Sequence, residues 1–262
     1  MNEAELLFSH ILSCDRAGLY AQPRLSLSVA DARFISAVLR RRIAGEPLQY
    51  IIGRADFYGY KFYVDRRVLI PRPETELLVE AALRYIDAQK LKRILDIGTG
   101  SGCIAISIAK SIASACVTGL DISADALAVA QINARRIGVA VDWVCSDMCA
   151  GLTPQEPFDL IVSNPPYISF EELSGLAPEV MQEPAAALQG GDDGLLFYRR
   201  LAVEVPRLLV QGGMLLCEIG WKQSLAVQSI LQKSGEFRIQ EVIRDYAGIE
   251  RIIVARKGSD HG

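Results

Sequence analysis

A glycine-rich turn with an acidic partner is the first feature of this sequence that could do chemistry. The segment Gly-Thr-Gly-Ser-Gly lies between an apolar strand pattern and an apolar helix pattern, and Asp121 ends the next predicted strand. Glycine lets the backbone approach a ligand that a β-carbon would exclude. A carboxylate at Asp121 can accept hydrogen bonds from both hydroxyls of a ribose, which predicts a nucleoside site. The ligand-contacting candidates in the turn are Gly98, Thr99, Gly100, Ser101 and Gly102.

The spacing of the glycines favours S-adenosylmethionine over a dinucleotide. The pattern is G-x-G-x-G, and the G-x-G-x-x-G that brings a pyrophosphate to a helix N-terminus is absent. Asp96 adds an acid that would repel a phosphate. Asp147, at the end of a further strand, could accept the adenine amine, although a helix-capping aspartate fits that position as well. A purely structural glycine turn with a solvated Asp121 is the alternative.

A second candidate for chemistry is the tetrapeptide Asn164-Pro165-Pro166-Tyr167, which follows the predicted strand Phe158 to Ser163. A planar amide or aromatic amine is a poor nucleophile because its lone pair is delocalised. Acceptors that hold its N–H bonds can turn the lone pair toward a methyl group and stabilise the developing positive charge. Asn164 and the Pro165 carbonyl supply two such acceptors.

Two further residues of the tetrapeptide fit this chemistry. Pro166 stiffens the loop, and Tyr167 offers a flat face for the substrate group. Asn-Pro is also common in ordinary turns. The tetrapeptide indicates a function because it lies one strand after the predicted nucleoside site. We therefore predict methyl transfer to a planar nitrogen, either a carboxamide or the N6 amine of an adenine flipped out of nucleic acid.

The elements that must position these residues form an α/β pattern. Residues 1–52 have helical periodicity and predict a small N-terminal helical domain, while residues 53–73 predict a β-hairpin linker, with Val68 to Ile70 as its second strand. Residues 74–262 alternate short apolar strands with helices, as in a parallel sheet buried on both faces. The last two strands, Phe237 to Asp245 and Ile249 to Arg256, have no helix between them and predict an antiparallel hairpin.

Composition excludes several classes of function. The 262 residues are 50% hydrophobic with a net charge of −3, which fits a globular chain and leaves no broad basic surface for a duplex. We expect no membrane span and no secretory signal, hence a cytoplasmic protein. The two histidines, His10 and His261, leave little material for a metal site or a histidine-dependent triad. Six cysteines without a C-x-x-C predict reduced, buried thiols.

Six segments follow one another along the chain: Gly45-Glu46-Pro47-Leu48-Gln49-Tyr50-Ile51-Ile52-Gly53, Leu69-Ile70-Pro71-Arg72-Pro73-Glu74-Thr75-Glu76, the glycine turn, the Asn164 tetrapeptide, Glu183-Pro184, and Leu188-Gln189-Gly190-Gly191-Asp192-Asp193-Gly194-Leu195. In this order they resemble one family, the HemK/PrmC protein-(glutamine-N5) methyltransferases of peptide chain release factors. The resemblance implies a class I S-adenosylmethionine-dependent methyltransferase fold, Rossmann-like, with a mostly parallel sheet.

The resemblance also implies roles for individual residues. The glycine turn would line the methionine part of S-adenosylmethionine, Asp121 would bind its ribose, and Asp147 and Met148 would border its adenine. Asn164 to Tyr167 would hold the glutamine of the release factor's Gly-Gly-Gln loop, and Asn164 would also border the cofactor. The N-terminal domain would dock the release factor. No membrane or direct nucleic-acid partner is expected. A ribosomal-protein glutamine methyltransferase, an N6-adenine methyltransferase and a translation-associated binding module without turnover remain alternatives.

Overall fold

A computed structural model describes residues 3–21, 26–150, 152 and 156–258. The helices are α1 Glu3–Ile11, α2 Arg16–Ala21, α3 Val29–Ile43, α4 Leu48–Ile52, α5 Glu76–Gln89, α6 Cys103–Ser111, α7 Ala124–Ile137, α8 Phe170–Leu173, α9 Leu196–Glu204 and α10 Ser224–Lys233. The strands are β1 Ala55–Phe57, β2 Tyr60–Phe62, β3 Arg93–Ile97, β4 Cys116–Asp121, β5 Asp142–Cys145, β6 Phe158–Ser163, β7 Leu209–Glu218, β8 Phe237–Arg244 and β9 Glu250–Lys257.

The N-terminal helices pack around a small core of their own. Ser28 begins α3 with a capping box, in which its hydroxyl accepts from the Asp31 amide and the Asp31 carboxylate accepts from the Ser28 amide. Val38 from this helix packs with Leu7 from α1 and Leu48 from α4. His10 stacks on Phe34 in the same region, whereas His261 lies outside the described residues.

The main sheet has seven strands in the order β5-β4-β3-β6-β7-β9-β8. Strands β3 to β7 are parallel, and alternate residues face two separate cores: Leu95 and Ile97 lie in one, Ile94 and Leu160 in the other. The predicted terminal hairpin is confirmed, because β9 pairs antiparallel with both β7 and β8.

The topology creates a crevice beside β3. The chain runs outward from β3 through β4 to β5 and then returns to the other side of β3 as β6. In open parallel sheets such a reversal separates the loops at the carboxyl ends of the two central strands, and ligands bind there. The loops in question are those that follow Ile97 and Ser163, which carry the glycine turn and the Asn164 tetrapeptide.

The linker hairpin differs from the prediction. It is confined to β1 and β2, which are joined by a turn at Tyr58 and Gly59, both with positive φ. Residues Val68 to Ile70 are not a strand. The Asp65 carboxylate accepts from the Arg67 amide and guanidinium, so the chain bends before Val68, whose side chain is buried against a separate cluster with Tyr50 and Val129.

The cysteine prediction was also wrong in part. All six thiols are free, and Cys103, Cys149 and Cys217 are buried, but Cys116 and Cys145 are exposed at strand ends. Cys116 is the first residue of β4 and Cys145 is the last residue of β5. No helix in the described part of the chain is long and apolar enough to span a membrane.

Asn133 fixes the linker and the glycine turn to the same helix. Its side chain is fully buried on α7; Oδ1 accepts from the Tyr63 amide at 2.7 Å, and Nδ2 donates to the carbonyls of Tyr63 at 3.0 Å and Ser101 at 2.9 Å. The oxygen and the nitrogen of this buried side chain on the apolar face of α7 thus both have hydrogen-bond partners.

We expect Asn133→Ala to lower the free energy of unfolding by about 2 kcal/mol, because it leaves one buried and two partly buried backbone groups without partners. Urea unfolding measures this loss. The matched control is Gln131→Ala, an exposed position on the same helix. Equal stabilities for the two variants would contradict the anchoring role of Asn133.

Candidate active site

The glycine turn follows β3 and bends over the end of β4. The amides of Gly98 and Thr99 both donate to the Leu120 carbonyl, at 2.8 and 2.9 Å. Gly98 and Gly100 have φ of 74° and 54°, and a β-carbon on either would meet nothing within 4 Å. Glycine is therefore required here by the left-handed backbone, and both positions border open space where a ligand could lie.

Asp121 is held directly beside this turn. Its Oδ2 accepts from the Gly100 amide and its Oδ1 from the Ser123 amide, each at 2.9 Å. Burial raises the pKa of Asp121, and the backbone hydrogen bonds oppose that rise. Each carboxylate oxygen has further lone pairs, so both oxygens retain the capacity to accept from a diol.

Asp96 lies beneath the turn and is completely buried. Its Oδ2 accepts from the Thr99 hydroxyl at 2.6 Å and the Ala105 amide at 3.2 Å. Within the described chain its Oδ1 has no hydrogen-bond partner. Burial raises the pKa of Asp96 to about 7, while the Thr99 and Ala105 bonds lower it. An unpaired buried carboxylate oxygen favours a ligand with positive charge and disfavours a phosphate.

The predicted adenine residues follow β5. Asp147 is half exposed and pairs with Arg200 at 2.6 Å; Arg200 also contacts Glu204 at 2.8 Å. Met148 has a φ of 46° and is buried in the core together with Leu120. The arginine partner was missed from the sequence, because α9, which carries it, has no motif that links it to β5.

The Asn164 tetrapeptide follows β6 at the same sheet edge. Ser163 pairs in register with Ile97, and its hydroxyl donates to the Ile97 carbonyl at 2.8 Å. Asn164 and Gly98 are therefore the next residues of two adjacent parallel strands. The Asn164 amide nitrogen donates to the Thr75 hydroxyl at 3.1 Å. The structure thus brings the glycine turn, Asp121 and the tetrapeptide to one crevice.

A glycine segment supports the tetrapeptide from behind. The Gly190 amide donates to the Ile168 carbonyl at 2.8 Å, and a β-carbon at Gly190 would lie 2.8 Å from the Tyr167 backbone. The Gln223 side chain donates to the carbonyls of Tyr167 at 3.0 Å and Gly194 at 3.2 Å. Close backbone contact explains why glycines occur in this segment.

A pocket of about 140 Å³, open to solvent, lies beside the tetrapeptide. Its lining residues are Leu69, Arg72, Asn164, Pro165, Tyr167, Ile168, Val180, Ala187 and Leu188. Arg72 forms an ion pair with the buried Glu183, which also accepts from the Ile70 amide at 3.0 Å. Burial raises the pKa of Tyr167 to about 12, so its ring is neutral at ordinary pH. The pocket has apolar walls and one polar end, which suits an uncharged amide side chain.

Comparison with known proteins decides the family. A model described as "Methyltransferase small domain" matches residues 74–204, and one described as "PrmC N-terminal domain" matches residues 1–53. A release factor glutamine methyltransferase from Geobacter sulfurreducens is 43% identical over 98% of this chain and 89% of that protein. One from Koribacter versatilis is 42% identical over 97% of this chain and 90% of that protein. The chain belongs to the release factor glutamine methyltransferase family.

Solved structures with low sequence identity to this chain share its fold. A methyltransferase from Pyrococcus furiosus aligns with a TM-score of 0.55 at 16% identity, covering 85% of this chain and 99% of that one. A ribosomal protein L11 methylase from Lactobacillus delbrueckii subsp. bulgaricus aligns with a TM-score of 0.53 at 22% identity, covering 76% and 84%. The predicted methyltransferase fold and the resemblance to the HemK/PrmC family are both confirmed.

The protonation of Asp96 makes the free energy of unfolding depend on pH. The folded state keeps the proton of Asp96 up to about pH 7, whereas the unfolded chain loses it near 4. Its contribution to stability is therefore greatest in acid and is lost as the pH rises through about 7.

We expect Asp96→Asn to remove this dependence. The free energy of unfolding of the variant minus that of wild type should therefore rise by about 2 kcal/mol from pH 4.5 to pH 8. Urea unfolding in the absence of ligand at several pH values checks this result. Asp142→Asn, at an exposed position, serves as the control. Parallel stability curves for wild type and Asp96→Asn would show that Asp96 is ionised in the folded state.

Proposed function

We propose that this protein transfers a methyl group from S-adenosylmethionine to the side-chain amide nitrogen, N5, of the glutamine in the Gly-Gly-Gln loop of release factors. Family membership supports the substrate, and it favours a glutamine over the adenine amine that the tetrapeptide could equally accept. The observation that carries the chemistry is the position of Asn164 next to the glycine turn, with its amide nitrogen bound to Thr75.

The residues of the turn fit the proposed cofactor. Asp121 has the two acceptor oxygens that a ribose diol needs, and Gly98 and Gly100 leave open space beside them. The unpaired oxygen of Asp96 suits a ligand that carries positive charge and no phosphate. Asp147 and Met148 remain candidates for the adenine edge. When bound, S-adenosylmethionine supplies a methyl group attached to a positively charged sulfur.

Asn164 and Pro165 make the glutamine nitrogen reactive. The amide nitrogen of Asn164 is held by Thr75, so its Oδ1 is left to accept one N–H of the substrate carboxamide. The Pro165 carbonyl accepts the other N–H. Two acceptors at fixed positions orient the nitrogen lone pair and stabilise positive charge as it develops there.

The transfer balances without a general base of tuned pKa. A bond would form between the glutamine nitrogen and the methyl group that S-adenosylmethionine supplies, and the electron pair of the broken carbon–sulfur bond would stay on sulfur. The methylated nitrogen, now positively charged, releases one of its hydrogens as a proton to water. Since an N-protonated amide is strongly acidic, neither acceptor has to bind that proton permanently.

The pocket beside Asn164 would receive the glutamine side chain. Apolar contacts from Leu69, Val180 and Leu188 suit its methylenes, and the Tyr167 ring gives a flat surface for the carboxamide. Residues 1–52 would dock the body of the release factor, residues 53–73 would link the two parts, and residues 74–262 would carry the reaction. A release factor substrate places the enzyme in the cytoplasm.

Mass spectrometry of a release factor after incubation with isotopically labelled S-adenosylmethionine tests the proposal. The label is expected on the glutamine of the Gly-Gly-Gln loop alone. A release factor with asparagine in place of that glutamine is the control and should stay unlabelled. Absence of label from the wild-type loop, or label on ribosomal protein or adenine instead, would overturn the proposed substrate.

We expect Asn164→Ala to slow methylation by about 100-fold or more, because one of two transition-state acceptors is lost. Binding of S-adenosylmethionine, measured by calorimetry, should change little. Glu171→Gln, an exposed change beyond the tetrapeptide, is the control and should keep the wild-type rate. A loss of cofactor affinity with an unchanged rate at saturation would show that Asn164 serves the cofactor instead.

We expect the opposite pattern for Asp121→Ala. Loss of two hydrogen bonds to a charged acceptor should weaken cofactor binding by about 100-fold. The control, Asp142→Asn, replaces an exposed carboxylate at the opposite end of a neighbouring strand. Calorimetric affinities within twofold of wild type for Asp121→Ala would remove Asp121 from the cofactor site.

A further inference from the structure

Glu218 is a buried carboxyl group that the proposed reaction does not use. It ends β7, and the register of β7 with β6 pairs Cys217 with Ser163, so Glu218 and Asn164 are the next residues of adjacent strands. Glu218 is only 3% exposed. Its Oε2 has no hydrogen-bond partner among the residues that the structure describes. A carboxyl group in such a place is unfavourable for stability and calls for a functional reason.

The contacts of Glu218 connect it to Asn164 in two ways. The side chains of Thr75 and Asn164 lie beside its carboxyl group, and both lower its pKa. Thr75, itself buried, accepts from the Asn164 amide nitrogen at 3.1 Å. A hydroxyl that accepts from Asn164 has its own hydrogen free to donate to Glu218. The Asn164 amide nitrogen thus faces the side on which Thr75 and Glu218 lie.

A carboxylate determines which end of a carboxamide faces it. Asn164 could present either its oxygen or its nitrogen to the substrate, and only the oxygen can accept an N–H from glutamine. A carboxylate accepts and never donates, so it favours the orientation with nitrogen inward and oxygen toward the pocket. We infer that Glu218, acting directly and through Thr75, is a positioning residue that fixes the reactive orientation of the Asn164 side chain.

The protonation state of Glu218 determines whether this orientation of the Asn164 amide is favoured. The titratable groups facing it are Glu74 before α5, Cys103 on α6, Tyr167 after β6, Tyr198 on α9 and Arg251 on β9. Arg251 is itself paired with Asp245 at 2.9 Å, so it neutralises Glu218 only in part. Burial raises the pKa of Glu218 to about 7, and the Thr75 bond and Arg251 lower it. A protonated Glu218 can donate, and it then no longer excludes the inverted amide.

The inference rests on the proposed function, and its test uses the full chain with a release factor and S-adenosylmethionine. We expect Glu218→Gln to lower kcat by roughly tenfold or more, as expected for the loss of one orienting charged hydrogen bond. Cofactor affinity and the thermal midpoint should not fall. Wild-type kcat should decrease as the pH is lowered through about 7, and this limb should be absent from Glu218→Gln.

Variants of Thr75 and a remote control complete the experiment. Thr75→Val should lower kcat in the same way, and Thr75→Ser, which keeps the hydroxyl, should restore it. Ser107→Ala removes a buried hydroxyl on α6 that has no hydrogen-bond partner within the described ranges, and should leave kcat unchanged. Wild-type kcat and an intact acid limb in folded Glu218→Gln would overturn the inference, as would a fall in thermal midpoint alone. If wild type itself transfers no methyl group, it is the proposed function that fails.

Discussion

The site depends on one structural constraint, the alignment of the carboxyl ends of β3 and β6. The Ser163 hydroxyl bonds to the Ile97 carbonyl, and parallel pairing keeps the two strands in register. The turn after one strand and the bend after the other must then open into the same crevice. A shift of register would separate the nucleoside side of the site from the amide side, although each segment could keep its own local shape. The apolar residues of both strands, buried on both faces of the sheet, resist such a shift.

Two buried carboxyl groups lie beneath this crevice, and each has one oxygen that finds no hydrogen-bond partner in the part of the chain that the structure describes. Asp96 supports the glycine turn through Thr99, and Glu218 lies beside Thr75, which binds Asn164. Such groups reduce the stability of the folded chain, and they concentrate where charge or orientation matters to a reaction. The cofactor side would gain a counter-charge for a cationic ligand, and the substrate side would gain a fixed acceptor.

Much of this architecture could be predicted from the sequence. The bounds of β3, β4 and β6 agree with the apolar runs that end at Ile97, Asp121 and Ser163, because buried parallel strands are continuous in hydrophobicity. Asp121 and Asn164 could be chosen as candidates because polar residues at the carboxyl ends of parallel strands lie at the edge of the sheet where ligands bind. The second strand of the hairpin was misplaced because the apolar run at 68–70, two of whose three residues are β-branched, resembles a strand whether it pairs with another strand or packs into a core.

The supporting residues were harder to find. Thr75 and Glu183 lie inside recognised segments, but their partners come from distant parts of the chain, so their roles required three-dimensional contacts. Glu218 ends an apolar strand as Asp121 does, and the same rule would have selected it. Asn133 interrupts the apolar face of α7, which was a usable signal.

A crystal structure with S-adenosylhomocysteine and a Gly-Gly-Gln peptide would test the central claim most directly. The account predicts the glutamine carboxamide between Asn164 Oδ1 and the Pro165 carbonyl, with its nitrogen facing the sulfur and the Asn164 nitrogen turned toward Thr75 and Glu218. A glutamine bound away from the tetrapeptide, or an Asn164 that presents its nitrogen to the substrate, would contradict it.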